Sequence, residues 1–301
     1  MAKNATEKKQ VFRQPAATNQ FGPRLGVVIS EQSVRLCLAR GIGAKTTIIR
    51  VQSFPLESDN QAGPIEWINQ ATTIVIDFLQ KQKRQRIPVN VGLLMRGVGF
   101  RRINLPDMPA AELSQAIAWE GNKLFPFDFS KCAVHYDIVG RIKNKSAANL
   151  DVNIIAADNE IINTLYSSFK SAGIKIGQVN FLPYHLSRLL LGHKGVKPDQ
   201  RNLIIYLDGE QSLAVFVHNG YLEFFQQFVT QPKAAGEGQA GIANIDAIGE
   251  ELTTFLDLYG AQDSTRLINS IFLCGKYGWG EDTAEFIGNR TGLPCIAAQA
   301  P

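Results

Sequence analysis

Few residues in this 301-residue chain are of a type and spacing suited to chemistry. Four histidines, His135, His185, His193 and His218, show no His-x-x-x-His spacing and no adjoining cysteine or acidic cluster, so no metal site is read. Cys37, Cys132, Cys274 and Cys295 lie far apart and read as buried free thiols of a reducing compartment. No Gly-x-Ser-x-Gly elbow occurs, which removes that route to a serine nucleophile. What remains sits in turns and at strand edges. Glu31 and Glu210 each lie in a polar turn, where they form a pair of carboxylates or are simply solvated, and neither has an evident catalytic partner. Arg96, Arg101 and Arg102 flank one strand and either hold an acidic partner peptide or guard a strand edge. Trp279, between Gly278 and Gly280, reads as a turn residue that contacts a partner, whereas Trp119 and Phe125 to Phe129 read as core.

Composition bounds the class. The chain is 45% hydrophobic and 19% charged, which describes a soluble globular protein large enough for two domains. Apolar runs are broken well short of the roughly 20 residues needed to cross a bilayer. The first 22 residues read as a flexible cytoplasmic tail without the apolar stretch of a signal peptide. A net charge of +4, with no dense basic block beyond Lys81 to Arg86, argues against nucleic acid as a partner.

The elements that must position these residues follow from periodicity. Arg24 to Leu38 predicts two short strands around Ser30-Glu31-Gln32-Ser33, and Thr46 to Phe54 a third. A helix opens at Pro64 and ends near Lys81-Gln82-Lys83-Arg84, and Val89 to Met95 is a fourth strand. A small α+β unit follows. It holds a strand through Ile103, a helix bearing Leu113, Ile117 and Leu124 that Pro126 stops, strands at Ala133–Val139 and Asp151–Ala157, and a helix from Asn159 to Ala172. The opening pattern then returns: strand Asn202–Tyr206, turn Asp208-Gly209-Glu210, strand Ser212–His218, the Asn219-Gly220 hairpin signal, strand Tyr221–Val229, helix Ile245–Tyr259 and strand Ser270–Leu273. Residues 231–244 read as a loop and 192–198 as a linker. The chain is thus an α/β protein with an internal repeat.

The insert carries the most specific signal. Arg102-Ile103-Asn104-Leu105-Pro106-Asp107-Met108, Glu112-Leu113, Ala116-Ile117-Ala118-Trp119-Glu120, Leu124-Phe125-Pro126-Phe127 and His135-Tyr136-Asp137-Ile138-Val139-Gly140 resemble the middle subdomain of the PilM family. The likeness extends through Ile154-Ile155-Ala156-Ala157, Ala172-Gly173-Ile174, Ile271-Phe272-Leu273-Cys274-Gly275 and Gly292-Leu293-Pro294. PilM proteins are cytoplasmic, actin-like components of type IV pilus assembly, related to the cell-division protein FtsA. The resemblance implies duplicated actin-like (ribonuclease H-like) domains with an SHS2-like insert in the first. Its boundaries would be 23–95 and 176–198 for the first domain, 96–175 for the insert and 199–301 for the second.

In that family two hairpin turns, each with an aspartate and a glycine, hold phosphates and a hydrated metal. Here Val28 and Ser30 stand at those places in the first hairpin, beside Glu31, Gln32 and Ser33, and Tyr206 and Asp208 stand there in the second. A two-residue register shift would put Asp208-Gly209 in role, beside Glu210, at the expense of lengthening the strand and shifting its alternation; ATP and Mg would then bind. The adenine turn keeps Gly275, followed by Lys276 with Gly278 close by, and Trp279 reads as a plug for it if not a partner contact. The 15 residues from 230 to 244 leave no room for the family's lid subdomain. The resemblance with these departures implies a pseudo-ATPase without cofactor. It implies a scaffold that binds the tail of a PilN-like inner-membrane protein between the first domain and the insert and meets other pilus assembly platform proteins. The chain would be cytoplasmic, peripheral at the inner membrane through that partner and without direct membrane insertion. Two alternatives stand: an active ATP-dependent switch of the PilM type, and a component of a mannose-sensitive haemagglutinin (MSHA) pilus or a type II secretion platform.

Overall fold

The computed structural model describes residues 22–41, 46–57, 62–84, 86–143, 148–190, 196, 199–208, 212–230, 245–262, 267–275 and 281–297. The chain separates into two compact units, the first ending at Leu182 and the second beginning at Pro183.

In the first unit β1 (Pro23–Ser30), β2 (Ser33–Arg40), β3 (Thr47–Pro55), β4 (Val89–Leu94) and β8 (Ile176–Phe181) form a sheet in the order β3-β2-β1-β4-β8. The first three strands are antiparallel, while β4 and β8 run parallel to β1. Alternation decides which face is buried: Leu25, Val27 and Ile29 from β1 and Val34, Leu36 and Leu38 from β2 are all inaccessible to solvent or nearly so. Helix α1 (Pro64–Lys81) begins with proline, where its missing N–H costs nothing, and buries Trp67, Ile68, Ala71, Thr72, Val75, Phe78 and Leu79. The hydroxyl of Thr72, alone polar in that stripe, donates to the Ile68 carbonyl at 2.7 Å.

Between β4 and β8 the chain leaves to build the insert. Strands β5 (Val98–Pro106), β6 (Cys132–Lys143) and β7 (Ala148–Asp158) make an antiparallel sheet in the order β5-β7-β6. Helix α2 (Ala110–Leu124) lays Leu113 and Ile117 on Leu150, Val152, Ile154 and Ala156 of the central strand. Gly121 belongs to this contact, because a Cβ there would meet the Phe129 ring at 2.4 Å. Phe125 and Phe129 are core as expected and stack at 5.2 Å. Trp119 is not core. It is 69% exposed, since it falls between the turns that carry Leu113, Ile117 and Gly121 and so points off the packed face.

Helix α3 (Asn159–Ser171) then returns the chain to the first sheet. It packs on α1, with Ser168 and Asn69 side chains 3.2 Å apart. The short helix α4 (Leu182–Ser187) lies almost wholly in the second unit, where Arg188 just beyond it covers the Tyr221 ring, whereas the family resemblance places residues 176–198 with the first domain.

The second unit repeats the topology of the first sheet. Strands β9 (Arg201–Leu207), β10 (Ser212–His218), β11 (Tyr221–Phe228), β12 (Ser270–Gly275) and β13 (Cys295–Ala297) pair in the order β11-β10-β9-β12-β13, with the same senses. Asn219 and Gly220 both have positive φ, the backbone that a two-residue hairpin turn requires. Helices α5 (Ile245–Gln262) and α6 (Glu281–Thr291) line the core through Ile248, Leu252, Phe255, Tyr259, Ala284 and Ile287. The expected duplication of actin-like domains is therefore present as two sheets of identical strand order.

Of the four cysteines Cys132 is buried, while Cys37, Cys274 and Cys295 are half-buried, Cys295 packing against the core of the second unit. No helix among the described residues is long and apolar enough to cross a membrane.

Candidate functional site

The two hairpins expected to hold phosphate are each described within their own unit. In the first, Ile29 pairs with Val34 and leaves Ser30–Ser33 as the turn. The Ser33 amide donates to Ser30 Oγ at 3.1 Å, and the Ser30 hydroxyl reaches the Ser33 carbonyl at 3.0 Å. The Gln32 carbonyl accepts from the Leu56 amide at 2.8 Å. A turn that binds phosphate offers its amides outward; the serine in the glycine's place turns one inward.

In the second hairpin Tyr206 pairs with Leu213, and residues 209–211 between the two strands lie outside the described residues. Asp208 is 7% exposed, and its amide donates to Ser212 Oγ at 2.9 Å. Ser212 Oγ in turn lies 2.8 Å from Thr230 Oγ1. Leu207 belongs to the core cluster, so Tyr206 faces the other way. A step of two residues along a strand returns to the same face, so the register shift considered for Asp208-Gly209 would leave inward and outward side chains unchanged; the expected disturbance of alternation does not arise. Gly209 and Glu210 themselves lie outside the described residues, as do Lys276, Gly278, Gly280 and Trp279.

Gly275 ends β12 beside the end of β9, with φ at +98. A Cβ on it would sit 2.4 Å from the Leu207 carbonyl oxygen. Both the left-handed backbone and the close approach of two strands demand glycine here, with or without an adenine base.

The three arginines expected to receive an acidic peptide are occupied within the first unit. The Arg96 amide donates to Glu31 Oε1 at 2.9 Å, and its Nε lies 3.5 Å from the same oxygen. Its guanidinium also donates to the Ala62 carbonyl at 3.3 Å and lies 5.1 Å from the centre of the Trp67 ring. Glu31 thus has a partner the sequence did not reveal. Arg101 Nε donates to the Leu124 carbonyl at 3.0 Å, so it caps α2, and its guanidinium lies over Phe125 at 5.5 Å. Arg102 binds Asp151 with two parallel hydrogen bonds, of 2.8 and 2.5 Å, largely out of solvent. An open cluster of three free cations is not formed, because β5 alternation sends Arg101 and Arg102 to opposite faces of the insert sheet.

A further polar group went unread. Glu223 is buried against Arg201, 3.4 Å away, and the Tyr259 hydroxyl donates to it. Its signal was a glutamate set among the apolar residues that open β11, Tyr221-Leu222-Glu223-Phe224-Phe225.

No known family model and no curated protein matches the sequence. Solved structures do match. A chain of the PilM-PilN type IV pilus biogenesis complex superposes with a TM-score of 0.66 and 14% identity, over 92% of this chain and 88% of that one. Two others overlap less well. The cytoplasmic domain of EpsL, an inner-membrane component of the type II secretion system of Vibrio cholerae, matches at a TM-score of 0.46, 11% identity and coverage of 85% and 83%. The ethanolamine utilization protein EutJ from Carboxydothermus hydrogenoformans matches at 0.49, 10% identity and coverage of 94% and 86%. The duplicated sheets, the insert and the near-complete overlap give this chain the actin-like fold of its counterpart in the PilM-PilN complex.

Proposed function

We propose that this chain is an actin-like scaffold of type IV pilus biogenesis, or of a related machine, that binds the cytoplasmic tail of a PilN-like inner-membrane protein and does not turn over ATP. The observation that carries the reading is the superposition on the PilM-PilN structure over nine-tenths of the chain, insert included. The protein sits at the inner membrane through that partner. An extended tail held by main-chain hydrogen bonds and side-chain pockets is the mode such a groove would use.

Two features support the absence of ATPase activity. Phosphoryl transfer depends on positioning and charge neutralisation, and the hairpin places for the metal carboxylates hold Val28 and Tyr206. One amide in each hairpin turn is already satisfied, Ser33 by Ser30 and Asp208 by Ser212. A pull-down with the tail of the PilN-like protein from the same organism, at low salt, tests the partner: retention is expected, and its failure contradicts the reading. The second reading, a magnesium-dependent switch through Asp208, Gly209 and Gly275, rests on the burial of Asp208. Loss of nucleotide binding in Asp208→Ala would support it.

A further inference from the structure

A second surface lies at the other end of the first sheet from the insert. Strand β4 runs from Val89 to Leu94 and the insert departs beyond it, where Ser30 of β1 pairs with Leu94. Helix α3 then descends, and β8 starts at Ile176 opposite Val89. Along that lower end Asn163, Tyr166, Ser167 and Lys170 fall at the i, i+3, i+4, i+7 positions of one flank of α3. With Ile174 and Ile176 they line an open trough of about 540 Å³, a size within the range of pockets that hold small ligands.

Three properties define its occupant. Strand β8 is outermost in its sheet, and no strand among the described residues pairs with its far edge. The floor is apolar, with Ile174 buried, while Tyr166 is 38% exposed and its phenol is pushed up by desolvation. Lys170 supplies the charge: no carboxylate lines the trough among the described residues, and Lys170 makes no ion pair there. Exposed Lys175, at the foot of the strand, adds to the same sign.

We infer that this trough is a docking site for an extended acidic peptide, one large apolar side chain filling the space between Tyr166 and Ile176 and a carboxylate reaching Lys170. Backbone along an open strand edge gives affinity, and the apolar and cationic contacts give selectivity. Its residues lie on α3, in the turn after it and at the start of β8, none of them on α2 or in the three-stranded sheet of the insert.

The test uses the full chain, labelled with nitrogen-15, and a blocked hexapeptide with one phenylalanine and a glutamate two positions on. Addition of the peptide is expected to shift the amides of Tyr166, Lys170 and Ile176 with a midpoint of roughly millimolar or tighter. Lys170→Glu is expected to weaken binding roughly tenfold and to restore it for the same peptide with lysine in place of glutamate. Equal binding of the two peptides to the unaltered chain, shifts confined to other residues or no shift overturns the proposal. Concentration-dependent self-association abolished by Lys170→Glu, without peptide binding, would replace the peptide by a second copy of the chain and also overturn it. Tyr166→Ala, at a half-exposed position, checks the apolar contact while keeping the fold.

Discussion

The amide of Arg96 donates to the carboxylate of Glu31 at 2.9 Å across 65 residues of sequence. This bond joins the turn of the first hairpin to the segment through which the chain enters the insert. Its geometry combines a charge-assisted hydrogen bond, an ion pair at 3.5 Å and a guanidinium 5.1 Å from the centre of the Trp67 ring. The ion pair is largely exposed and so contributes little, whereas the hydrogen bond to a charged acceptor is the stronger part.

Glu31→Ala is therefore expected to lower stability by about 1 kcal/mol, near 2–4 °C in Tm for a chain of this size. Glu31→Gln, which keeps an acceptor oxygen, is expected to lose less. Thermal unfolding measures both. Equal effects of the two would show that the amide bond does not matter.

Arg101 and Arg102, neighbours on β5, should respond differently. Arg102 and Asp151 are largely out of solvent, so removing either leaves a charge without its partner at an expected cost of about 2–4 kcal/mol. Arg101→Ala removes a helix cap and a ring contact at the surface and should cost about 1 kcal/mol or less. Urea unfolding of the two variants ranks them; the reverse order would contradict the assignment of sides.

Gly275→Ala is expected to destabilise the second unit by several kcal/mol, roughly 3 or more, because positive φ and backbone overlap with Leu207 act together. Gly260→Ala, in α5 with nothing within 4 Å of its Cβ, should stabilise by about 0.5 kcal/mol. Differential scanning calorimetry compares them. A benign Gly275→Ala would mean that this strand junction is looser than described.

The hairpin strands were legible in the sequence because each hairpin carries local punctuation, Ser30-Glu31-Gln32-Ser33 in one copy and Asn219-Gly220 in the other. Strand β8, helices α4 and α6 and strand β13 were not read: β8 and α4 are six residues each and β13 three, and Glu281–Thr291 buries only Ala284 and Ile287, too few apolar positions to mark a helical stripe. The off-face position of Trp119 was present in the Leu113, Ile117 and Gly121 spacing and went unused. The serine caps and the Glu31–Arg96 bond could not be read, since each depends on how a turn closes or on strands far apart in sequence meeting. The arginines were legible as charged and not as paired, because pairing of Arg102 with Asp151 requires the register of β5 on β7.

Two thiols give a pH dependence. Burial pushes Cys274 and Cys295 up to about 12, above an ordinary value near 9. As pH rises from about 9 toward 12 the unfolded chain releases these protons first, the folded chain holds more, and stability falls; below about 9 both states keep them and the thiols add no slope. Urea midpoints for the native chain and for Cys274→Ala with Cys295→Ala, at pH about 8 and about 10, test this. A flatter pH response is expected in the double variant, and an identical one would remove these thiols as its cause.

A peptide-binding scaffold that works without nucleotide should bind its partner's tail whether or not nucleotide is present. Calorimetric titration of the full chain with the N-terminal cytoplasmic tail of the PilN-like protein, with and without Mg-ATP, measures this. Binding with a roughly micromolar midpoint that Mg-ATP leaves unchanged is expected. No heat, or heat that appears only when Mg-ATP is present, would contradict it.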